Sequence, residues 1–171
     1  YDYEGASIVL SKAQKISPKS YEIYRGMGLI EFRKANYKDA ILFLEKANKI
    51  YPNDVETLTL LAKTYSKQNN YSLAQKNAVK AVELDRSNAA AQISYAKMLS
   101  QFEGVEKGIS YLNYLINQFS YSIELRQAMA EIYEENQNYL ESCNIWEQIK
   151  EADAKNKKAF LGLGTCYQGQ A

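Results

Sequence analysis

Lysine, arginine and the carboxylates are the abundant reactive groups of this chain, and their types suit binding rather than catalysis. No histidine occurs in 171 residues. That excludes a Ser-His-Asp triad, a Cys-His pair, an imidazole metal ligand and a histidine pH switch. Cys143 and Cys166 cannot form a Cys₄ zinc site, nor do they make the disulfide framework of a secreted miniprotein. Both are expected as buried reduced thiols. No catalytic residue, metal ligand or cofactor site is expected. The remaining candidates are binding groups. Arg25, Arg33, Lys63, Lys67 and Lys97 can hold acidic partners, and Glu131, Glu134 and Glu135 can hold basic ones beside Gln127. Leu29, Phe32 and Ile93 offer apolar anchors.

The elements that must position these residues follow from the rest of the composition. Hydrophobic residues make up 46% and charged residues 24%, the balance of an ordinary soluble fold. Twenty-one cations face 20 carboxylates, so a net charge of +1 gives no global field toward nucleic acid or an anionic membrane. Two prolines and eight glycines leave little material for hairpin turns, which favours helices. No apolar run approaches the ~18 residues of a membrane span.

The sequence also repeats itself. Pro18 and Pro52 lie 34 residues apart. Placing each at position 32 of a unit gives full units at 21–54, 55–88, 89–122 and 123–156, with partial ones at 1–20 and 157–171. Position 8 is then Gly28, Ala62, Ala96, Ala130 and Gly164, always small; position 20 is Ala6, Ala40, Ala74, Gly108 and Ser142. Within a unit, positions 4, 7, 8 and 11 form one helical stripe, and 20, 24 and 27 form another. Position 34 is Ser20, Asp54, Asn88, Ser122 and Asn156, each a good N-cap for the next helix. Position 16, between the two helices, is Asp2, Asn36, Asn70, Gly104 and Asn138, all turn-compatible. Leu115 and Ile149 stand at position 27 where a small residue is usual, and Gly108 and Ser142 are expected to make room for them. The pattern describes an antiparallel helix hairpin in tandem.

A 34-residue helix–turn–helix of this kind resembles the tetratricopeptide repeat, TPR. Unit 21–54 carries the family pattern in Tyr24, Met27, Gly28, Ala40, Leu44, Ala47 and Pro52; unit 55–88 carries it in Leu58, Leu61, Ala62, Tyr65, Ala74 and Ala81. The resemblance spans 1–171. It implies an all-α, right-handed superhelical solenoid of about ten helices, a single domain whose first helices line a concave groove. It also implies a non-enzymatic protein-interaction scaffold. An RNA-binding helical repeat and a regulatory arm of a larger enzyme are the alternatives. The strict 34-residue period and the acidic unit 123–156 disfavour RNA, so no nucleic acid is expected as a partner. One known use of the family is not carried over. The clamp for chaperone C-termini needs Asn at position 9 of two successive units, where this chain has Leu29 and Lys63.

The groove-facing positions lie opposite the 4/7/8/11 stripe. They run from Arg25, Leu29, Phe32 and Arg33 through Lys63, Lys67, Ile93 and Lys97 to Gln127, Glu131, Glu134 and Glu135. Unit charges follow the same trend, from +1 and +2 in 21–54 and 55–88 to −5 in 123–156. The expected ligand is a protein or peptide with its acidic end over 21–88 and its basic end over 123–156. With helices ~10 Å apart it spans about 30 Å, or roughly nine extended residues. The same charges also suit a plain solvated face. Carboxylates of 123–156 lie along helices without a ligand loop, which argues against a calcium-type site. Free thiols point to the cytoplasm, with organelle and bacterial envelope left open. The chain starts and stops at position 15 of a unit, as a piece of a longer array would. End-to-end self-association through the uncapped ends is a second expectation.

Overall fold

Small residues recur on one face of every hairpin, and the helices close down on them. The computed structural model describes residues 2–118 and 123–170, among which there are ten α-helices. They are α1 Tyr3–Ile16, α2 Tyr21–Arg33, α3 Tyr37–Ile50, α4 Val55–Lys67, α5 Tyr71–Leu84, α6 Ala89–Glu103, α7 Val105–Gln118, α8 Ile123–Glu135, α9 Tyr139–Ala152 and α10 Lys157–Gln170. The architecture is all-α. No helix is long and apolar enough to cross a membrane. The described residues pack as two compact units, one running to Tyr95 and the other from Ala96.

Local chemistry sets the helix ends. The Asp54, Asn88 and Asn156 side chains accept from the amides of Thr57, Ala91 and Ala159 at 3.0, 3.0 and 3.1 Å, and Ser20 caps Ile23 at 3.4 Å. Ser122, the remaining expected cap of this set, lies outside the described residues. At the other end, α2, α4 and α8 close with one motif. The amides of Asn36, Asn70 and Asn138 reach back to the carbonyls of Glu31, Tyr65 and Tyr133 at 2.8–2.9 Å. The residue before each one takes a left-handed backbone: Ala35 at φ 61°, Asn69 at 55° and Gln137 at 62°. This is a Schellman closure made without glycine.

In the first unit, α2 and α3 form one hairpin and α4 and α5 the next. Ala40, Leu44 and Ala47 on α3, and Ala74, Ala78 and Ala81 on α5, have no exposed surface. A Cβ on Gly28 would stand 2.5 Å from Leu44 Cγ, so only glycine lets that leucine lie on α2. Tyr65 reaches from α4 to α3 and donates its hydroxyl to Glu45 Oε1 at 2.5 Å. Burial and that carboxylate push the phenol well above its ordinary pKa. At position 11 of the preceding repeat Glu31 binds Asn36 and Lys34 instead, at 2.8 and 2.9 Å, while Phe32 stacks against Tyr37.

The second unit corrects two expectations. Cys143 and Cys166 are not free thiols: they form a disulfide, with Cα atoms 5.6 Å apart, that joins α9 to α10. Their repeat positions, 21 and 10, face each other across neighbouring hairpins, which a reading of each cysteine alone missed. The bond sits in a core with Ala130, Trp146, Ile149, Ala159 and Leu163. The free-thiol argument for a cytoplasmic location falls with it. Gly108, in turn, is small for the sake of α6: a Cβ there would meet the Ala96 carbonyl oxygen at 2.6 Å and Ser100 Cβ at 2.7 Å.

Gly108→Ala forces a methyl against α6 backbone and should cost about 1–3 kcal/mol. Gly164→Ala, where nothing lies within 4 Å of the added methyl, should gain up to about 1 kcal/mol from helix propensity. Urea unfolding followed by circular dichroism separates the two. In the native protein without reductant, a thiol reagent should find no free thiol, and reduction should add the mass of two hydrogens.

Candidate functional site

Successive first helices in the first unit leave a hollow of about 490 Å³ between α2, α4 and the first turn of α6. Gly26, Leu29, Leu60 and Ala90 give it apolar walls, and Glu22, Arg25, Glu56, Thr59, Lys63 and Asn88 supply its polar groups. Leu29 is 42% exposed and also borders a second hollow of about 340 Å³ that contains Asp2 and Arg33. The volume and the mixed lining fall within the range of ligand sites. Thr59 is only 5% exposed, and its hydroxyl has no hydrogen-bond partner.

Arg25 is not an open cation. Its Nη1 contacts both oxygens of Asp54, at 3.1 and 2.8 Å, and Glu56 Oε2 at 2.8 Å, with the Tyr21 ring 5.7 Å from its Cζ. Asp54 does two jobs. One is to cap α4 through the Thr57 amide and hydroxyl, and the other is to pin α2 to α4 through Arg25. Burial works against its carboxylate. The Thr57 hydroxyl, the Arg25 guanidinium and the Thr57 amide outweigh it and hold the pKa below its ordinary value.

The other expected groove residues divide. Arg33 and Lys67 are exposed at the C-terminal ends of α2 and α4, and Lys63 is half-buried one turn earlier on α4. Phe32 is half-buried against Tyr37, and Ile93 is half-buried on α6. In the second unit the charges face each other. Lys97 Nζ lies 2.7 Å from Glu131 and 3.2 Å from Glu135. Burial opposes its ammonium, but the two carboxylates more than offset this and raise its pKa. Gln127 is buried, with its amide directed at Asn156 Oδ1 at 3.4 Å. Glu134 turns into the α8–α9 hairpin, where it accepts from Trp146 Nε1 at 2.7 Å and Ser142 Oγ at 3.1 Å. Among the described residues, no group of three or more acidic or cysteine side chains is placed to hold a metal ion.

Sequence reasoning missed the pairing of these charges. The signal was present in part: Lys97 and Glu131 occupy the same repeat position one unit apart. The orphaned Thr59 hydroxyl had no such signal, because threonine at that position reads as an ordinary polar helix residue.

Comparison with known proteins agrees with the repeat. A family model described as tetratricopeptide repeat matches residues 43–76. The BBSome complex member BBS4 of Bos taurus is 25% identical over 97% of this chain, which spans about a third (34%) of that relative's length. Among solved structures, TTC0263, a thermophilic TPR protein of Thermus thermophilus, is similar with a TM-score of 0.81 at 14% identity, covering 97% of this chain and 91% of its own. YrrB, described as a TPR protein with an unusual peptide-binding site, is similar with a TM-score of 0.60 at 16% identity, covering 94% of this chain and 83% of its own.

Asp54→Asn keeps a competent helix cap and removes one of the two charges that hold Arg25. A carboxylate whose folded pKa is depressed adds stability above its unfolded pKa, and that stability is lost as pH falls through the folded value. The parent protein should therefore lose stability below about pH 4, and Asp54→Asn should show a shallower acid limb in urea midpoints.

Proposed function

Starting from a chain that is a tetratricopeptide-repeat protein, we propose that it serves as a protein-interaction scaffold that takes an extended segment of its partner in the groove of α2, α4 and α6. The observation that carries this is the 490 Å³ hollow. It combines an exposed leucine, apolar walls and charged rims on the first helices of consecutive repeats. Such a surface offers a side-chain anchor together with polar groups that fix register. Two likenesses support the reading. One similar structure is described by its peptide-binding site, and the matched relative is named as a member of a complex.

The reading departs from a simple charge gradient. Arg25 is already held by Asp54 and Glu56, so in this reading the acidic part of a ligand meets Arg33 and Lys67, which are exposed at the ends of α2 and α4. Affinity capture with the chain identifies the partner. The double variant Arg33→Glu with Lys67→Glu should then weaken its binding several-fold, up to about thirtyfold, since each exposed pair is worth up to ~1 kcal/mol. Unchanged affinity in that variant would sink the groove.

A further inference from the structure

The geometry points to a bipolar ligand for this groove: an extended peptide carrying a basic residue, an apolar residue and an acidic residue in series, laid along the axes of α2 and α4 with its apolar side chain in the hollow. The inference rests on the groove reading above and adds the order of charges and the axis along which they run.

Three observations meet in it. The first is how charge is sorted along the helices. Glu22, Asp54 and Glu56 stand at the N-terminal ends of α2 and α4, and Arg33 and Lys67 stand at their C-terminal ends. Arg25 pairs with Asp54 and Glu56, and set against these two and Glu22 it leaves this end two charges negative. The second is the apolar wall of Leu29 and Leu60 that lies between these ends and lines the hollow. The third is Thr59 on the same wall, 5% exposed with an unpartnered hydroxyl. An unpaired buried hydroxyl costs free energy, which a ligand's backbone carbonyl or amide recovers once the Thr59 side chain rotates toward the hollow.

The distances suit a short peptide. From Glu56 to Lys67 is about 16 Å of helix, or roughly five residues of extended chain. A basic residue over Glu22 and Glu56 and an acidic one over Lys67 and Arg33 leave the central residue opposite Leu29 and Leu60. Chain direction is read out by the experiment.

The test uses four acetylated and amidated heptapeptides, each with leucine at its centre between two glycines. One runs from two lysines to two glutamates and the second is its reverse. The third has lysines at both ends, and the fourth has glutamates at both ends. Each is titrated into the whole chain with amide shifts followed by NMR. One of the two bipolar peptides should bind at least about fivefold tighter than either uniform peptide, and shifts should fall on α2 and α4. The pair Arg33→Glu with Lys67→Glu should move the preference to the lysine-ended peptide. If a uniform peptide binds as tightly as both bipolar ones, while Leu29→Asp still abolishes binding, the charge order is overturned and the groove stands. If Leu29→Asp changes nothing, or no peptide shifts α2 and α4, the groove reading itself falls. Circular dichroism of the Leu29→Asp chain confirms that this exposed position has not cost the fold.

Discussion

Close approach of two helix backbones is the constraint on which everything else in this protein depends. A hairpin of two helices has no core of its own unless the helices nearly touch, and touching requires residues without bulk at the crossing. Gly28 admits Leu44, Gly108 admits the backbone of α6, and Gly162 leaves its space to the ring of Trp146. Once those contacts exist, α3 and α5 bury their stripes of alanine and leucine completely, and the first helices are left to face outward along their remaining side. The groove is therefore a by-product of packing. In the first unit, the groove proposed above is the side of α2, α4 and the first turn of α6 that the hairpins do not use.

What that side offers a partner is decided by electrostatics between neighbouring first helices. Charges on neighbouring first helices reach each other, and four carboxylates hold two cations that would otherwise face outward. Arg25 is pinned by Asp54 and Glu56, and Lys97 by Glu131 and Glu135. Partly buried pairs of this kind cost desolvation and offset it through multiple contacts, so removing one partner costs more than the net worth of the pair. Asp54 shows the economy of the arrangement, since the carboxylate that caps α4 also fixes how α2 lies beside it. The acidic unit 123–156 changes meaning in the same way. Glu134 serves Trp146 and Ser142 inside a hairpin, so the net charge of a unit says little about the charge that its groove presents.

The disulfide adds a covalent tie where the repeat alone would rely on packing. Cys143 and Cys166 lie on α9 and α10, in a core organised by Trp146 and closed by Leu163 and Ile149. A cross-link between adjacent helices restricts the unfolded chain and so favours the paired state. It also means that an argument from thiols about compartment does not apply here.

Much of this protein was settled by sequence alone, because the repeat is one-dimensional. A fixed 34-residue spacing of small residues, caps and apolar stripes repeats the same local decision, and local rules of helix periodicity and capping suffice to read it. The helices, the residues at which they start, and the hairpin faces were legible for that reason. The left-handed residues closing α2, α4 and α8 were not, since alanine, asparagine and glutamine stand where glycine would have announced them. Nor were the partners of Arg25, Lys97 and Glu134, or the bond between Cys143 and Cys166. Those depend on which side chains two neighbouring helices bring within a few ångströms of each other. Periodicity fixes the face a residue lies on, but only packing fixes what it meets there.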